Sequence, residues 1–275
     1  HLEWSNRRYG GIGEKLLAQR DHNTMLYLNY NTGRRISANG RSLANTLEDL
    51  IQRNPLITSI DLIGHSMGGL VLRSALFYGK QNMHQWMHLT ENLVCLGSPH
   101  HGAVLERFGF ILQDRLGHFP FVKIVRHIVN IRSNGILDLR YGSVRDDDWE
   151  HNTARIGGMD DNRKPAPLPS HINTFLVAGS VVYENRKNRH FDLLGDYLVS
   201  VKSALGEHPN PRFQLKLPES NKAIFYGIHH FEIHYHSNVA EQIVRWFYPP
   251  PDAPIKEQVH EYRMQLTDLS NSAPT

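Results

Sequence analysis

A serine between two glycines forms the most informative pattern in the chain, Gly64-His65-Ser66-Met67-Gly68. This G-x-S-x-G pattern lies between a strand-like run, Ser59 to Ile63, and a helix-like run that begins near Leu70. A sharp turn from strand to helix exposes the serine hydroxyl, which needs an adjacent base to become a nucleophile near neutral pH. The pattern predicts a nucleophile at Ser66. It also predicts that the backbone N–H of Met67 points at a developing oxyanion, and that side chains at positions 64 and 68 would clash as strand and helix approach.

Strand-like and helix-like segments alternate on both sides of this pattern. The predicted strands are Met25–Tyr30, Ser59–Ile63, Leu93–Leu96, Thr174–Ala178 and Ala223–Ile228. The predicted helices are about Ser42–Arg53, Leu70–Tyr78 and a final one through Val239, Ile243 and Trp246. Such alternation predicts an α/β fold with a mostly parallel sheet and helices on both faces. In sheets of this kind the chemistry lies beyond the carboxyl ends of the strands.

The composition of the chain restricts its class. The 275 residues are 40% hydrophobic, and 30 Lys and Arg against 27 Asp and Glu leave a net charge of +3. These values exclude disorder, collagen and coiled coil as descriptions of the whole chain, and the near-neutral charge argues against a nucleic-acid partner. There is no run of about 18 apolar residues. The single cysteine, Cys95, cannot form an intrachain disulfide, which gives a slight preference for the cytoplasm.

The rhythm of strands and helices breaks between about residues 103 and 169. Phe121, Ile124, Val125 and Ile128 predict an amphipathic helix there, and a polar, proline-containing stretch follows. We interpret the segment as a cap or lid inserted over the sheet, and an ordinary helical excursion packed on the core remains an alternative. The predicted organisation is therefore a catalytic domain over residues 1–248 with this insertion, followed by a Pro-rich spacer and tail over 249–275.

Four segments carry a family resemblance. They are GHSMGGLVLRSAL (64–76), LGSPHHG (96–102), GDYLVSVKSALG (195–206) and HHFEIHYHSNVAEQI (229–243). Together they resemble the α/β-hydrolase superfamily, in its lipase and carboxylesterase branch, which includes bacterial triacylglycerol lipases and the PGAP-like deacylases. The resemblance implies the α/β-hydrolase fold and a Ser-Asp-His triad in the chain order that this fold uses.

Carried over by position, the resemblance places the nucleophile at Ser66, the acid at Asp196 and the base at His230. Asp192, four residues before Asp196, is the rival acid. The base has several rivals within or near the same segment and after the strand that follows the elbow, namely His229, His234, His236, His100 and His101. His230 is preferred because apolar, acidic and apolar residues follow it, as in the family pattern.

The sequence departs from the family in its oxyanion hole. The second amide donor normally comes from a His-Gly loop after an early strand, and this chain has no such segment before Trp4. Because the chain begins with His1, we interpret the catalytic domain as truncated at its N-terminus, with that loop upstream. The loss of one oxyanion donor typically lowers turnover by about 10²–10³.

Other patterns are weaker. His230 and His234 have the i, i+4 spacing of metal ligands, but the segment alternates like a strand and no HExxH pattern is present, so neither a metal nor another cofactor is expected. Asp146-Asp147-Asp148 lacks EF-hand spacing and predicts a solvated turn or helix start. Gly10 to Gly13 predicts a flexible lead into a helix, and Cys95 a buried apolar side chain.

Three functions remain open at this point. The first is a serine hydrolase of carboxylic esters with an apolar acyl chain, a lipid or acyl ester, contacting membranes transiently through the cap. The apolar residues motivating that substrate class are Phe108, Phe110, Ile111, Phe119 and Phe121. The second is an acyltransferase that uses the same nucleophile. The third is a lipid-binding protein that keeps the fold without catalysis.

Overall fold

The computed structural model of the protein describes residues 11–103, 133–149, 163–182, 195–249 and 260–262. Its centre is a sheet of five strands: β1 (Ile60–His65), β2 (Thr90–Leu96), β3 (Asn173–Ser180), β4 (Lys222–Tyr226) and β5 (His260–Tyr262). The strands lie in the order β1-β2-β3-β4-β5, and each neighbouring pair is parallel. Parallel neighbours require crossover connections, which the helices supply.

The described helices flank this sheet. They are α1 (Ile12–Leu17), α2 (Ile36–Arg53), α3 (Met67–Gln81), α4 (Trp86–Leu89), α5 (Asn134–Tyr141), α6 (Val201–Ala204) and α7 (Ser237–Phe247). Short 3₁₀ turns occupy Asp146–Asp148 and Glu219–Asn221. None of the helices in the described ranges is long and apolar enough to cross a membrane.

The core has two parts, one on each face of the sheet. Alternation along β3 places Leu176 in the part that contains α2 and α3, and Val177 in the part that contains α1 and α7. Both side chains are fully buried. The predicted arrangement, a mostly parallel sheet covered on both faces, is confirmed.

One predicted strand is wrong. Residues Met25 to Tyr30 form no regular secondary structure, and Leu26 and Leu28 are 65% and 48% exposed. A strand is stable only when a neighbour satisfies its backbone groups, and in the described part of the chain β1 pairs with β2 alone. Apolar composition predicted this strand, but none of the described strands lies beside the segment.

Helix α2 begins at Ile36, six residues before its predicted start. The cause is Asp138, in α5. Its carboxylate accepts a hydrogen bond from the Ile36 backbone N–H at 2.8 Å and forms an ion pair with Arg35 at 2.7 Å. A carboxylate at this position satisfies an otherwise unpaired amide of the first turn and interacts favourably with the helix dipole. Asp138 therefore caps α2 from about 100 residues away in sequence, where no local pattern could reveal it.

The acidic run Asp146-Asp147-Asp148 was predicted as a solvated turn or helix start, and this is only partly right. Its residues form a 3₁₀ turn, but Asp148 is only 3% exposed. The Asp148 carboxylate accepts hydrogen bonds from the backbone N–H groups of Val144, Arg145 and Lys164. It joins two segments of the chain instead of facing solvent. Most of the predicted cap, including the helix expected through Phe121 and Ile128, lies outside the described residues.

Candidate active site

The turn between β1 and α3 holds Ser66 in a strained backbone conformation. Its φ of 54° and ψ of −122° lie where L-residues are rarely found, and Met83 and Tyr197 are the other non-glycine residues with positive φ in the described ranges. The Ser66 N–H donates to the Leu96 carbonyl at 2.9 Å, which fixes the turn against the end of β2. Backbone strain of this kind costs about 1–3 kcal/mol and is typical of functional sites.

Lack of space for a side chain explains two of the three glycines around Ser66. A Cβ at Gly64 would lie 2.6 Å from the Gly69 nitrogen, and one at Gly69 would lie 2.0 Å from Ser98 Oγ. A Cβ at Gly68 would meet only the Tyr30 hydroxyl, at 3.9 Å. The predicted clash is thus present at position 64, and it is wrong at position 68, where the tight neighbour is Gly69.

Asp196 and His230 form the central hydrogen bond of the site. His230 Nδ1 lies 2.7 Å from Asp196 Oδ2, with both side chains buried. The other oxygen of Asp196 accepts the backbone N–H groups of Leu198 and Val199 at 3.0 and 2.8 Å. Three donors to one carboxylate satisfy a buried charge that would otherwise be costly. Because a carboxylate only accepts, the proton lies on His230 Nδ1 and leaves Nε2 as an acceptor.

The loop around Asp196 and His230 leaves little free space. The His230 N–H donates to the Asp196 carbonyl at 3.0 Å. Gly97, with φ of 54°, follows β2, and a Cβ there would lie 3.0 Å from Asp196 Oδ2 and 3.4 Å from His230 Nδ1. The end of β2 therefore approaches both the acid and the base, and the same strand end accepts the Ser66 N–H. Ser66, Asp196 and His230 thus lie around one strand end.

The described contacts contain no hydrogen bond between Ser66 Oγ and His230. In apo enzymes such bonds are often long and tighten in the complex with substrate. Met67, whose backbone N–H was predicted to bind an oxyanion, is the first residue of α3, and the first amides of a helix lack partners within it.

The rival histidines have other surroundings. His236 caps α7, its ring accepting the Asn238 N–H. His100 Nδ1 accepts from Arg73 Nη1 at 3.3 Å, and His101 Nδ1 lies 3.4 Å from Arg163 Nη2, in a separate small cavity. Burial lowers the pKa of His100 well below its usual value and that of His101 to about 3.

His229 and His234 flank His230 in the same loop. Burial lowers the pKa of His229, and the ring of His234 lies 4.7 Å from that of His65. Among these histidines, His230 is the one with a described hydrogen bond to Asp196. The rival acid Asp192 lies outside the described residues.

Sequence reasoning missed His65, Gly97 and the two amides that hold Asp196. His65 is the variable residue before the serine in the G-x-S-x-G pattern, and its ring lies 4.7 Å from that of His230. Adjacency to Ser66 was the available signal for His65. The amide groups of Leu198 and Val199 carry no sequence signal at all.

No group of three or more His, Cys, Asp or Glu side chains within the described ranges has a geometry that could hold a metal. Cys95 is fully buried in β2, and burial raises the pKa of its thiol to about 12. A thiol held so firmly protonated is a poor nucleophile, so its predicted role as a buried apolar side chain is confirmed.

A parallel α/β sheet with a strained serine between a strand and a helix defines an α/β hydrolase. The chain belongs to the PGAP1-like alpha/beta domain family, whose model matches residues 5–208. This membership supports hydrolase activity. No curated protein matches the chain.

Several solved structures are similar to the chain. The mature form of the lipase BlEst2 from Bacillus licheniformis is 21% identical, with 78% of this chain and 74% of that chain covered and a TM-score of 0.45. A gene product of Listeria innocua is 18% identical, with coverages of 83% and 71% and a TM-score of 0.42. The propeptide form of BlEst2 is 17% identical, with coverages of 82% and 43% and a TM-score of 0.46.

Proposed function

We propose that the protein is a serine hydrolase that cleaves carboxylic esters through an acyl-enzyme, with Ser66 as nucleophile, His230 as base and Asp196 as acid. The observation that carries the proposal is the 2.7 Å hydrogen bond from His230 Nδ1 to the buried carboxylate of Asp196, beside the strained turn at Ser66. This bond fixes the tautomer in which Nε2 can accept a proton.

In the acylation step, His230 Nε2 takes the proton of Ser66 Oγ as the oxygen attacks the ester carbonyl carbon. The carbonyl oxygen becomes an oxyanion, to which the Met67 backbone N–H donates. When the tetrahedral intermediate collapses, His230 returns its proton to the leaving alcohol and Ser66 remains acylated. Asp196 stays ionised throughout and stabilises the imidazolium.

Deacylation repeats the same steps with water. His230 takes a proton from the water molecule as its oxygen attacks the acyl carbon, and then gives the proton to Ser66 Oγ. The products are the free carboxylic acid and the restored serine. The substrate class, an ester with an apolar acyl chain of lipid type, is supported by the aromatic and aliphatic residues between positions 108 and 121 of the sequence.

The test is turnover of p-nitrophenyl esters of graded acyl length by the wild type and Ser66→Ala. The substitution should lower kcat/KM by about 10⁴–10⁶, because the nucleophile is lost. Asp196→Asn should lower it by about 10³–10⁴, because the imidazole loses the partner that holds its tautomer. Equal turnover by wild type and Ser66→Ala would refute the proposal.

Ser42→Ala is the matched control, since Ser42 is exposed on α2 and has no predicted role in the triad. It should keep wild-type turnover. Covalent labelling by a fluorophosphonate, read as a mass increase, should occur in the wild type and in Ser42→Ala and be absent from Ser66→Ala. Adding a long-chain alcohol separates hydrolysis from acyl transfer, because a transferase would form the new ester in preference to the free acid.

A further inference from the structure

His65 forms a direct link between the turn and the predicted base. It is the last residue of β1 and immediately precedes Ser66. Its Nε2 lies 2.9 Å from the carbonyl oxygen of His230. A carbonyl oxygen can only accept, so the His65 ring donates and its proton lies on Nε2.

The environment of His65 keeps its ring neutral. Burial lowers the pKa of His65 well below its usual value, and positive charge on His230 or His234 would lower it further. Both neighbouring rings face it, with centroid distances of 4.7 Å to each. The ring of His65 is therefore a fixed neutral donor beside the predicted base, and its hydrogen bond persists while His230 gains and loses its proton.

The hydrogen bonds of His230 connect it to two different parts of the chain. Its ring Nδ1 and its backbone N–H both bond to Asp196, at 2.7 and 3.0 Å, which fixes the histidine relative to the acid. Its carbonyl oxygen bonds to His65, which fixes the same residue relative to the strand that carries Ser66. An acid–base pair needs this second anchor, because catalysis depends on the distance and angle between base and nucleophile.

We propose that His65 is a positioning residue that holds His230 at its working distance from Ser66 through the bond from Nε2 to the His230 carbonyl. The inference rests on the proposed function, in which Ser66 is the nucleophile and His230 the base. His65 itself exchanges no proton with substrate. Without the Nε2 donor of His65, the backbone of His230 loses its hydrogen bond to β1. A displacement of the base by about 1 Å can lower turnover by about 10²-fold.

The experiment compares His65→Leu with His65→Gln on a p-nitrophenyl ester that the wild type turns over. Leucine fills similar volume without a donor, and it should lower kcat by about 10- to 100-fold with KM changed less than about threefold. Glutamine can place an amide N–H near the position of Nε2, and it should recover at least about fivefold of that loss. Urea unfolding of both variants checks that they are folded.

His171→Leu is the matched control. His171 also bonds through Nε2 to a backbone carbonyl, that of Met87 at 3.0 Å, and its described contacts, with Met87 and the ring of His88, include none of the predicted catalytic residues. The His171→Leu variant loses the same type of hydrogen bond as His65→Leu, and it should keep wild-type kcat.

The outcomes separate the two proposals. If Ser66→Ala is inactive while His65→Leu has wild-type kcat, the positioning role is refuted and the proposed function stands. If the leucine and glutamine variants lose kcat equally at equal stability, the ring fills space and the hydrogen bond is irrelevant, which also refutes the role. If Ser66→Ala retains full turnover, the proposed function itself fails.

Discussion

At the scale of single residues, each buried titratable group depends on its hydrogen-bond partners. Asp196 is fully buried, and its carboxylate accepts three hydrogen bonds. His65 and His100 are also buried. The ring of His65 donates to the His230 carbonyl, and the ring of His100 accepts from Arg73. His100 in particular accepts from Arg73, so a second proton on its ring would remove that acceptor and place two cations together.

This burial predicts acid sensitivity of the fold. The pKa of His65 and of His100 is lowered well below the usual value, chiefly by burial, whereas both titrate normally once unfolded. At these two residues the unfolded chain therefore binds more protons below about pH 6.5, so their contribution to stability is lost as the pH falls. Between pH 6.5 and 5.5 the two residues together should remove about 2 kcal/mol of unfolding free energy.

Urea unfolding of the wild type and of His100→Gln at pH 7.5, 6.5 and 5.5 isolates the part of this loss that belongs to His100. His100→Gln keeps an acceptor for Arg73 and removes the titrating group, so it should lose about 1 kcal/mol less than the wild type over the lower interval. The comparison uses the change with pH, so any uniform destabilisation by the substitution cancels. Identical pH dependence in the two proteins would contradict the assignment of a neutral, buried His100.

At the scale of elements, the turn from β1 to α3 depends on the absence of particular side chains. Strand and helix approach so closely that the backbone of Gly69 fills the space beside Gly64, and Ser98 fills the space beside Gly69. A Cβ at Gly68 would instead point into open space near the Tyr30 hydroxyl. Position 64 therefore has no room for a methyl group, whereas position 68 does.

Alanine substitutions at Gly64 and Gly68 should therefore change stability in opposite directions. Gly64→Ala should destabilise the protein by about 1–3 kcal/mol, because its Cβ meets backbone atoms that cannot rotate away. Gly68→Ala lies inside α3 with room for the methyl group, and it should be neutral or stabilise by up to about 1 kcal/mol through helix propensity. Urea midpoints of the two variants measure the difference, and equal destabilisation would contradict it.

At the scale of the whole molecule, one sheet separates two packed layers. Leu176 in β3 lies in the layer with α2 and α3, while Ile243 in α7 lies in the layer with α1. Both side chains are fully buried. The turn at Ser66 and the loop of His230 lie on connections to α3 and α7, which belong to different layers, so the sheet must hold both layers in register for the site to form.

Truncation on either face should therefore be costly. Leu176→Ala and Ile243→Ala should each lower the unfolding free energy by about 2–5 kcal/mol, because each leaves a cavity in a packed layer. Since the two side chains lie in separate clusters, their effects should add in the double variant to within about 0.5 kcal/mol. Leu56→Ala is the control, because Leu56 is 92% exposed and its truncation should change stability by less than about 0.5 kcal/mol. Strong non-additivity would contradict two independent layers.

The sequence alone determined the α/β class and the turn at Ser66, and the family resemblance of its segments implied Asp196 and His230 as triad candidates. Periodicity and the G-x-S-x-G pattern depend on residues close together in the chain, so they can be read directly. The roles of the three residues stay predictions, although the hydrogen bond between Asp196 and His230 agrees with them.

Only the tertiary structure decided the features that depend on distant parts of the chain. Residues 25–30 have strand-like composition but pair with none of the described strands, and α2 starts early because Asp138 caps it from α5. The bond from His65 to the His230 carbonyl joins residues 165 positions apart. The packing of segments that are distant in sequence determines which groups form hydrogen bonds with buried backbone atoms. For that reason the sequence could nominate a nucleophile and a base, whereas the link between them through His65 became visible only in the folded chain.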